Sequence, residues 1–399
     1  MSAVSLLGEI ADIGRDRPRG GYSRHAFDGR EAELRAWFVE RAVRSGLEVE
    51  TDRNGNLWAW WGRPGPGSVV TDSHLDSVPG GGAFDGPLGV TCALDAVKSL
   101  RDSEFRPGRP IAVVVFMEEE GGRFGVPCLG SRLLTGSLAA DRARALRDPE
   151  GVSPAEAAAR AGLNPDQFGR DDIALSKVGT FVELHVEQGR GLIDLGSPIA
   201  VGSTVTEHGR WRFSFIGQGN HAGATPMSDR RDPMLPAASL IAAARRTAAR
   251  VDGARATVGR LVPRPGGTNV IASSVDVWLD ARVAGHNRTR PVVEEIAAAV
   301  RSAAGEEGCE VTVTEEAYTG AVAFDAGLRG QLNGVLGGVP ELPTGAGHDA
   351  GILAAHVPSG MLYVRNPTGI SHAPEEFAED ADVERGAEAL AEVLRDLST

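Results

Sequence analysis

The sequence predicts an α/β fold with a second, smaller α+β domain inserted into it, and three observations support this. Residues 110–117 (PIAVVVFM) form a continuous apolar run, typical of a strand buried on both faces in a parallel sheet. Clusters of polar residues follow such runs directly, and binding sites in α/β sheets lie at the carboxyl ends of strands. From about residue 208 to residue 322 the pattern changes to a β-α-β-β-α-β order, that of a ferredoxin-like module.

The first part of the chain alternates helices and strands. The predicted elements are a helix over 30–47, an extended segment over 57–60, a strand over 68–72, a helix over 90–101 and the buried strand 110–117. Short, glycine-rich elements resume after residue 322. We therefore assign residues 1–207 and 323–399 to one catalytic domain with a mixed, largely parallel sheet.

The inserted domain, residues 208–322, has a different pattern of apolar and polar residues. Its segment WRFSFIG alternates apolar and polar residues, as a half-buried strand does. The predicted elements are a strand over 211–217, a helix over 234–251, strands over 255–262 and 275–283, a helix over 289–304 and a strand over 309–315. A chain of 399 residues exceeds the size at which single cores usually stop growing, which agrees with two domains.

The composition is that of an acidic globular protein. The chain has 41 basic and 54 acidic residues, a net charge of -13 and no long basic run, so nucleic acid and anionic membrane are poor partners. Cys92, Cys128 and Cys309 lie far apart, which argues against a disulfide scaffold or a zinc knuckle. Neither a signal peptide nor an apolar stretch of about 20 residues is evident, so we expect a cytoplasmic protein that spans no membrane.

The densest group of candidate ligands lies in residues 72–89, DSHLDSVPGGGAFDGPLG. His74 and Asp76 are two residues apart at the end of a predicted strand, so their side chains point the same way. A metal-bound imidazole usually donates its other N–H to a carboxylate, which suits Asp76 as a supporting residue. Asp85 follows a run of glycines, and its two oxygens can bridge two cations. An isolated Asp in such a loop is usually a turn former, but the combination indicates a metal site.

Three further acidic residues, Glu118–Glu120, directly follow the buried run. Adjacent carboxylates raise one another's pKa values, a cost that nearby cations would offset. One carboxylate can then bind metal while its neighbour acts as a general base. His185 lies in VELHVEQG and His372 in the tight loop GISHAP. Imidazole and carboxylate groups without thiolates are typical of zinc, or of Mn, Co or Ni.

Seven motifs occur in one order along the chain and together resemble those of a known family. They are HLDSVPGGGAFDGPLG, EEEGGRF, ELHVEQG, GNHAGATPM, GGTNVIASSVD, GAGHDAG and GISHAPEE. From about residue 30 onward, the chain resembles the hydantoinase/carbamoylase branch of the dinuclear metallopeptidases. Its relatives include N-carbamoyl-L-amino-acid hydrolases, beta-ureidopropionases and allantoate amidohydrolases. The resemblance implies an amidohydrolase with two divalent metal ions per subunit.

The resemblance also implies a role for each candidate ligand. The implied ligands are His74, Asp85 and His185 for one ion and Asp85, Glu120 and His372 for the other, with Asp85 as the bridge. Glu119, directly before the ligand Glu120, would be the general base and proton shuttle for a water activated by the two bridged ions. Glu118 has no assigned role and is expected to be structural or electrostatic.

The inserted domain carries GNHAGATPM, and the resemblance implies two functions for this domain. It would form the contact of a homodimer, and His221 would reach the active site of the other subunit and stabilise the oxyanion. Asn220 would support His221. The remaining histidines match no assigned motif and are expected to be structural: His25, His208, His286 and His356.

Recognition of a substrate carboxylate calls for a planar Arg fork completed by amide groups. By resemblance, Gln188, Asn269 and Arg282 supply these groups, and the backbone of the loop at Gly347 approaches the substrate. Two departures from the family pattern concern specificity. Asp72 stands where relatives usually have Gly, and the sequence of residues 204–211 differs from the sequence usual in the family.

The predicted reaction is hydrolysis of the C–N bond of an N-carbamoyl (ureido) or related N-acyl amino acid, releasing ammonia and carbon dioxide or the acid. One alternative is a dinuclear aminoacylase or exopeptidase acting on N-acyl amino acids or small peptides. Another is a catalytically inactive binding protein on the same scaffold, which predicts loss of a ligand or of Glu119, and all of these are present. The sequence does not choose among carbamoyl, formyl and acyl substrates.

Overall fold

A computed structural model describes residues 2–399, which divide into two compact units. The first unit comprises the residues up to Thr204 together with Ala323–Thr399, and the second comprises Val205–Val322. The chain therefore leaves the first unit once and later returns to it. Within residues 2–399, none of the helices has the length and apolar character needed to cross a membrane.

Fifteen strands and thirteen α-helices form along the described residues. The strands are β1 (Glu48–Thr51), β2 (Leu57–Trp61), β3 (Ser68–His74), β4 (Ile111–Phe116), β5 (Val178–Val186), β6 (Ile199–Val205), β7 (Glu207–Ile216), β8 (Asn220–His221), β9 (Ala254–Arg264), β10 (Val270–Ile271), β11 (Ser274–Val283), β12 (Glu310–Thr319), β13 (Val322–Ala323), β14 (Glu341–Thr344) and β15 (Ser359–Val364). The helices are α1 (Ala3–Glu9), α2 (Gly29–Arg44), α3 (Pro87–Asp102), α4 (Leu129–Thr135), α5 (Ala140–Ala145), α6 (Pro154–Arg160), α7 (Asp172–Lys177), α8 (Gly191–Leu195), α9 (Met234–Ala248), α10 (Thr289–Glu306), α11 (Ala326–Val335), α12 (Asp349–Leu353) and α13 (Asp380–Leu397).

The first unit is built on a nine-stranded sheet with the strand order β1-β2-β4-β3-β5-β15-β6-β13, and β14 pairs with β6. The four central strands, β4, β3, β5 and β15, are parallel to one another. Three other neighbouring pairs are antiparallel: β1 with β2, β2 with β4, and β15 with β6. Strands β3, β4 and β15 are buried along their whole length, as expected for strands covered on both faces. This mixed, largely parallel sheet confirms the predicted α/β class.

The carboxyl ends of three adjacent parallel strands carry the polar motifs. Strand β3 ends at His74, β4 ends two residues before Glu118, and His185 is the last residue but one of β5. The register pairs His74 with Phe116, so these strand ends are level. Because parallel strands end at the same edge of a sheet, the fold brings the three motifs together.

The second unit contains a four-stranded antiparallel sheet with the order β12-β7-β11-β9. Its main elements follow one another as β7-α9-β9-β11-α10-β12, the β-α-β-β-α-β order that the sequence predicts. Alternate residues of β7 and β11 are buried, and side chains such as Phe213 and Val277 pack in one cluster with residues of α9 and α10. One face of this sheet is therefore covered by the two helices.

One predicted strand begins earlier than expected. The sequence predicts a strand from residue 211, but β7 already begins at Glu207. The buried Glu207 carboxylate accepts the N–H groups of Asn287 (2.7 Å), Arg288 and Thr289 at the start of α10, and the Tyr318 hydroxyl (3.0 Å). The Glu207 carboxylate thus caps the N-terminus of α10.

Candidate metal centre

His74, at the end of β3, is completely buried. Its Nδ1 lies 3.1 Å from the main-chain oxygen of Asp76 and 3.7 Å from Asp76 Oδ1. The Asp76 carboxylate itself accepts the backbone N–H groups of Glu119 (3.2 Å) and Glu120 (3.1 Å). Asp76 therefore holds the turn that carries the two glutamates, while the main-chain carbonyl is the nearer partner of the imidazole.

Asp85 immediately precedes Gly86, the N-cap of α3. Gly86 has φ +86°, and a Cβ at this position would lie 2.5 Å from His74 Nδ1, so only glycine lets the loop pass the ring this closely. Asp85 Oδ1 is 3.5 Å from His74 Nε2 and 3.2 Å from His185 Nε2. The two Nε2 atoms are 3.4 Å apart. These atoms form a first, buried donor group.

The other oxygen of Asp85 belongs to a second donor group. Asp85 Oδ2 is 3.4 Å from His372 Nε2, which in turn is 3.2 Å from Glu120 Oε2. His372 lies in a tight loop with φ +58°, and about half of its side chain is exposed (49%). The two groups therefore share one carboxylate, with one oxygen in each.

The charges of the cluster favour cations. Burial opposes ionisation of Asp85, but hydrogen bonds with His185 and His74 outweigh it and hold the pKa of Asp85 well below its usual range. Burial likewise opposes protonation of His74, yet the charge of Glu119 and a hydrogen bond with Asp85 raise the pKa of His74 well above its usual value. The Glu120 hydrogen bond raises the pKa of His372 to about 9. Positive charge is thus stabilised at the imidazole nitrogens.

The donor set fits a pair of divalent ions. The donor atoms of each group lie within 4.8 Å of one another. A tetrahedral ion with bonds of about 2.0–2.1 Å places its ligand atoms about 3.3–3.4 Å apart, and the separations in the first group are 3.2, 3.4 and 3.5 Å. Imidazole and carboxylate donors without a thiolate suit zinc and related ions.

Glu119 lies beside the first donor group, with Oε2 3.5 Å from His74 Nε2. Burial and the neighbouring acids Asp349 and Glu120 raise the pKa of Glu119 well above its usual range, against the opposing charge of His74. Glu119 therefore lies next to the ligand candidates, within reach of the same space.

Glu118 has a structural role. Its Oε1 accepts the backbone N–H groups of Arg123 (2.9 Å) and Phe124 (2.6 Å). The carboxylate therefore closes the turn that follows the glutamate motif. This agrees with the expectation that Glu118 is structural or electrostatic.

Gln188 contacts the second donor group, and two neighbouring residues were missed by sequence reasoning. Gln188 Nε2 donates to Asp85 Oδ2 (2.9 Å) and lies 3.2 Å from Ser371 Oγ. Ser371 Oγ also lies 3.0 Å from Asp85 Oδ2 and 3.1 Å from Glu376 Oε2. Ser371 and Glu376 flank His372 within GISHAPEE, but no residue pattern distinguishes a buried acid in a loop from a solvated one.

Asp72 is completely buried two residues before His74. Neither of its oxygens has a hydrogen-bond partner among the described residues. Its neighbour in the register of β5 is Glu183, which accepts the N–H of Ala350 (2.8 Å) and lies 3.2 Å from His348 Nδ1. Burial and the Glu183 charge raise the pKa of Asp72 well above its usual range. Asp72 thus adds a carboxyl group to an already acidic interior.

The second unit carries Asn220 and His221 on its surface. His221 Nδ1 accepts the N–H groups of Gly223 and Ala224, both at 3.1 Å, so the neutral ring carries its proton on Nε2. Asn220 Oδ1 accepts the N–H of His221 (2.8 Å). Asn269, also exposed, directly precedes β10, which pairs with β8. These three residues therefore lie close together.

Arg282 lies towards the opposite end of the same unit. It is eight residues beyond Ser274 on β11, and at about 3.3 Å per residue this separates them by roughly 26 Å. Its guanidinium donates to both oxygens of Asp280, at 2.8 and 3.2 Å. In the first unit, Gly347 is exposed in the loop between β14 and α12. The second unit thus gathers His221 and Asn269 but keeps Arg282 apart from them.

Comparisons with known proteins agree with these features. Residues 70–396 match the Peptidase family M20/M25/M40. The N-carbamoyl-L-amino acid amidohydrolase of Geobacillus stearothermophilus is 36% identical over 390 residues, which cover 96% of this chain and 95% of the relative. The allantoate amidohydrolase of Bacillus subtilis (strain 168) is 30% identical over 362 residues, covering 88% and 87%. A solved structure of a hydantoinase/carbamoylase family amidase from Burkholderia vietnamiensis matches with a TM-score of 0.86 and 30% identity, covering 99% and 96%.

The fold and these matches define a hydrolase that acts on carbon–nitrogen bonds other than peptide bonds. More narrowly, the chain belongs to the M20/M25/M40 family, within its hydantoinase/carbamoylase branch. The predicted family, fold class and enzyme class are therefore confirmed. The family implies a dinuclear metal site, and the described residues supply candidate groups for it.

Proposed function

We propose that this chain is a dinuclear metal-dependent amidohydrolase that cleaves the C–N bond of an N-carbamoyl (ureido) or related N-acyl amino acid. One observation carries the proposal: Asp85 places one oxygen in each of two donor groups, and Glu119 lies beside the first group. The names of the relatives, which refer to N-carbamoyl-L-amino acids and to allantoate, support this substrate class.

We expect two divalent ions per subunit, with zinc as the first choice and Mn, Co or Ni as alternatives. His74, Asp85 and His185 would hold one ion, and Asp85, Glu120 and His372 the other. When bound, such ions lower the pKa of water and polarise the carbonyl oxygen of the substrate. All five residues belong to the first unit, and four of them are largely buried, so the donors are arranged before substrate binds.

Glu119 moves the proton in the proposed reaction. Its Oε2 lies at the edge of the first donor group, 3.5 Å from His74 Nε2, within reach of a water beside these donors. Glu119 accepts a proton from the attacking water and returns it to the leaving nitrogen. A carbamoyl substrate then yields ammonia, carbon dioxide and the free amino acid. An acyl or formyl substrate yields the corresponding acid and the free amino acid.

His221 stabilises the oxyanion in this proposal, because its Nε2 carries a proton while Nδ1 accepts two backbone N–H groups. Arg282, Asn269 and Gln188 bind the substrate carboxylate, Asn220 supports His221, and the backbone at Gly347 borders the substrate. His221 and Arg282 lie towards opposite ends of one unit, with roughly 26 Å of strand between these ends. One copy of the unit cannot present both to one small substrate, so we propose a homodimer in which His221 acts in trans.

An exposed apolar surface supports the dimer. Helix α9 exposes Met234, Leu235 and Ile241, and of these Met234 and Ile241, seven residues apart, lie on one face of the helix. Exposed apolar patches mark interaction sites. Co-expression of His221→Ala and Glu119→Gln chains with different tags tests the arrangement. The mixed dimer contains one site with both residues intact and should recover activity that neither parent shows. A purified mixed dimer as inactive as the parents would exclude catalysis in trans.

A substrate panel tests the function itself. The metal-reconstituted protein is offered carbamoyl-α-amino acids, carbamoyl-β-alanine, allantoate, formyl- and acetyl-amino acids and dipeptides, with ammonia, formate and free amino acid measured separately. We expect ammonia and free amino acid from one of the ureido compounds. Glu119→Gln should lose turnover but keep its metal, whereas the exposed Glu375→Gln should match the unmodified protein. Release of amino acid only from acyl or peptide substrates would favour the aminoacylase/exopeptidase alternative, and binding without any turnover would favour a binding protein.

A further inference from the structure

Glu376 is a buried carboxylate that the proposed reaction does not use. It lies between β15 and α13, four residues after His372, and is only 4% exposed, whereas the preceding Glu375 is exposed. Burying a carboxylate costs free energy unless hydrogen bonds compensate for the lost water. Its partners therefore indicate what it does.

All the partners of Glu376 belong to the loops that carry metal-ligand candidates. Its Oε1 accepts the backbone N–H groups of Phe84 (3.0 Å) and Asp85 (2.9 Å). Its Oε2 accepts the hydroxyl of Ser371 (3.1 Å), whose Oγ also lies 3.0 Å from Asp85 Oδ2. The hydroxyl proton is thus shared between two carboxylates. Glu376 contacts Asp85 at its backbone directly and at its side chain through Ser371.

The Asp85 loop leaves a space for this carboxylate. A Cβ at Gly82 would lie 2.1 Å from Glu376 Oε1 and 2.5 Å from Glu376 Cβ, so a side chain there would displace Glu376. Gly82 has an ordinary backbone conformation, with φ outside the left-handed region. Close approach by Glu376, and not backbone strain, is therefore what the glycine accommodates.

We propose that Glu376, acting with Ser371, is a positioning residue that fixes Asp85 and thereby sets the affinity for both ions. The inference rests on the proposed dinuclear site. Asp85 must direct its two oxygens into two different donor groups, and a glycine-rich loop does not hold such an orientation alone. Glu376 fixes the backbone of the loop, and Ser371 holds Oδ2. Glu376 also follows His372 in the chain. Its hydrogen bonds therefore join the loop of His372 to the loop of Asp85, which is 291 residues away from Glu376 in sequence.

Metal titration of Glu376→Gln tests the proposal. A Gln oxygen can still accept the two backbone N–H groups, but its NH₂ can only donate to Ser371 Oγ. The variant therefore removes the carboxylate that accepts the Ser371 hydroxyl, with little change in shape. We expect both ions to bind about 10–100-fold more weakly, the usual effect of removing a group that orients a ligand. The visible absorption of the Co²⁺-loaded protein should also change, because it reports ligand geometry. Glu375→Gln, one residue away, is the matched control and should leave affinity and spectrum unchanged.

Two further variants keep the test decisive if Glu376→Gln does not fold. Ser371→Ala removes only the link to Asp85 Oδ2, and Gly82→Ala displaces Glu376 without changing a hydrogen-bonding group; both should weaken metal binding. Unmodified protein that binds two ions, with variants of the same affinity and Co²⁺ spectrum, would overturn this inference alone. Unmodified protein that binds no ions would overturn the dinuclear site and the inference with it.

Discussion

The two units of this chain arrange their candidate residues in opposite ways. In the first unit, the shared ligand Asp85 and its partners His74 and His185 are buried and contact one another. In the second unit, His221 and Asn220 are exposed and are held by the backbone of their own loop. One unit thus assembles a group of donors, whereas the other presents single polar groups.

The difference follows from the two sheets. A parallel sheet covered on both faces buries the ends of its strands, so charged groups there lose water and must compensate one another. The four-stranded antiparallel sheet, with two helices on one face, keeps its connecting loops in water. We therefore expect changes to the donor residues of the first unit to alter metal binding and activity together. Changes to His221 in the second unit should alter activity alone.

Asp85→Asn should have the largest effect, because it weakens the one ligand common to both donor groups. We expect kcat/KM to fall on the order of 1,000-fold or more, as for other essential catalytic elements, together with loss of both ions by elemental analysis. Asp12→Asn, whose carboxylate is fully exposed, is the control. Retention of two ions at unchanged affinity would contradict the bridging role.

His221→Ala should separate activity from metal binding. Loss of an oxyanion donor lowers kcat by roughly 100–1,000-fold, while metal content and thermal stability should stay unchanged because the ring is exposed. His286→Ala, another exposed histidine of the same unit, serves as the control. If His221→Ala also lost metal, the contrast between the units would fail.

Sequence reasoning named the five ligand candidates and Glu119 from strand ends, buried runs and the order of the motifs. The structure brings these side chains close together, and their roles stay predictions. The partners of Glu376 could not be predicted. Asp85 is 291 residues away in the chain and Ser371 contacts Glu376 through a hydroxyl, and neither contact produces a periodic pattern in the sequence. Residue type also suggested the Asp76 carboxylate as the hydrogen-bond partner of the His74 ring. The Asp76 main-chain oxygen, however, lies nearer to His74 Nδ1 than the carboxylate does.

Much of the fold was also predictable, because hydrophobic periodicity reports which strands are covered on one face or two. The apolar run 110–117 became the buried β4, and the alternating run at 211–217 became part of the half-buried β7. The early start of β7 was not predictable. It depends on Glu207 meeting the N-terminus of α10, a contact between residues about 80 positions apart.

Arg282→Lys should have an intermediate effect, confined to substrate binding. Lysine keeps the charge but lacks the planar fork that pairs with a carboxylate through two hydrogen bonds. We expect KM to rise about 10–100-fold, with kcat and metal content little changed, from the loss of a charge-assisted hydrogen bond. Arg255→Lys is a matched control, because Arg255 is exposed and pairs with Arg282 in the register of β9 and β11. An unchanged KM would indicate that Arg282 forms only its ion pair with Asp280 and does not bind the substrate.

Glu207→Ala should have the smallest effect and should concern only the stability of the second unit. The carboxylate caps α10, and removal of such a cap costs about 1–2 kcal/mol of stability. Burial opposes its ionisation, but hydrogen bonds from Thr289, Tyr318 and Arg288 outweigh this and lower the pKa of Glu207. A carboxylate with a lowered folded-state pKa stabilises the fold fully above its unfolded pKa of about 4.3. It loses this contribution as the pH falls through the folded-state pKa.

Urea unfolding of Glu207→Ala at several pH values should therefore show a difference in stability from the unmodified protein that is constant at neutral pH and shrinks in acid. The exposed Glu310→Ala should show no such difference, and a gap that widened in acid would exclude the ionised cap.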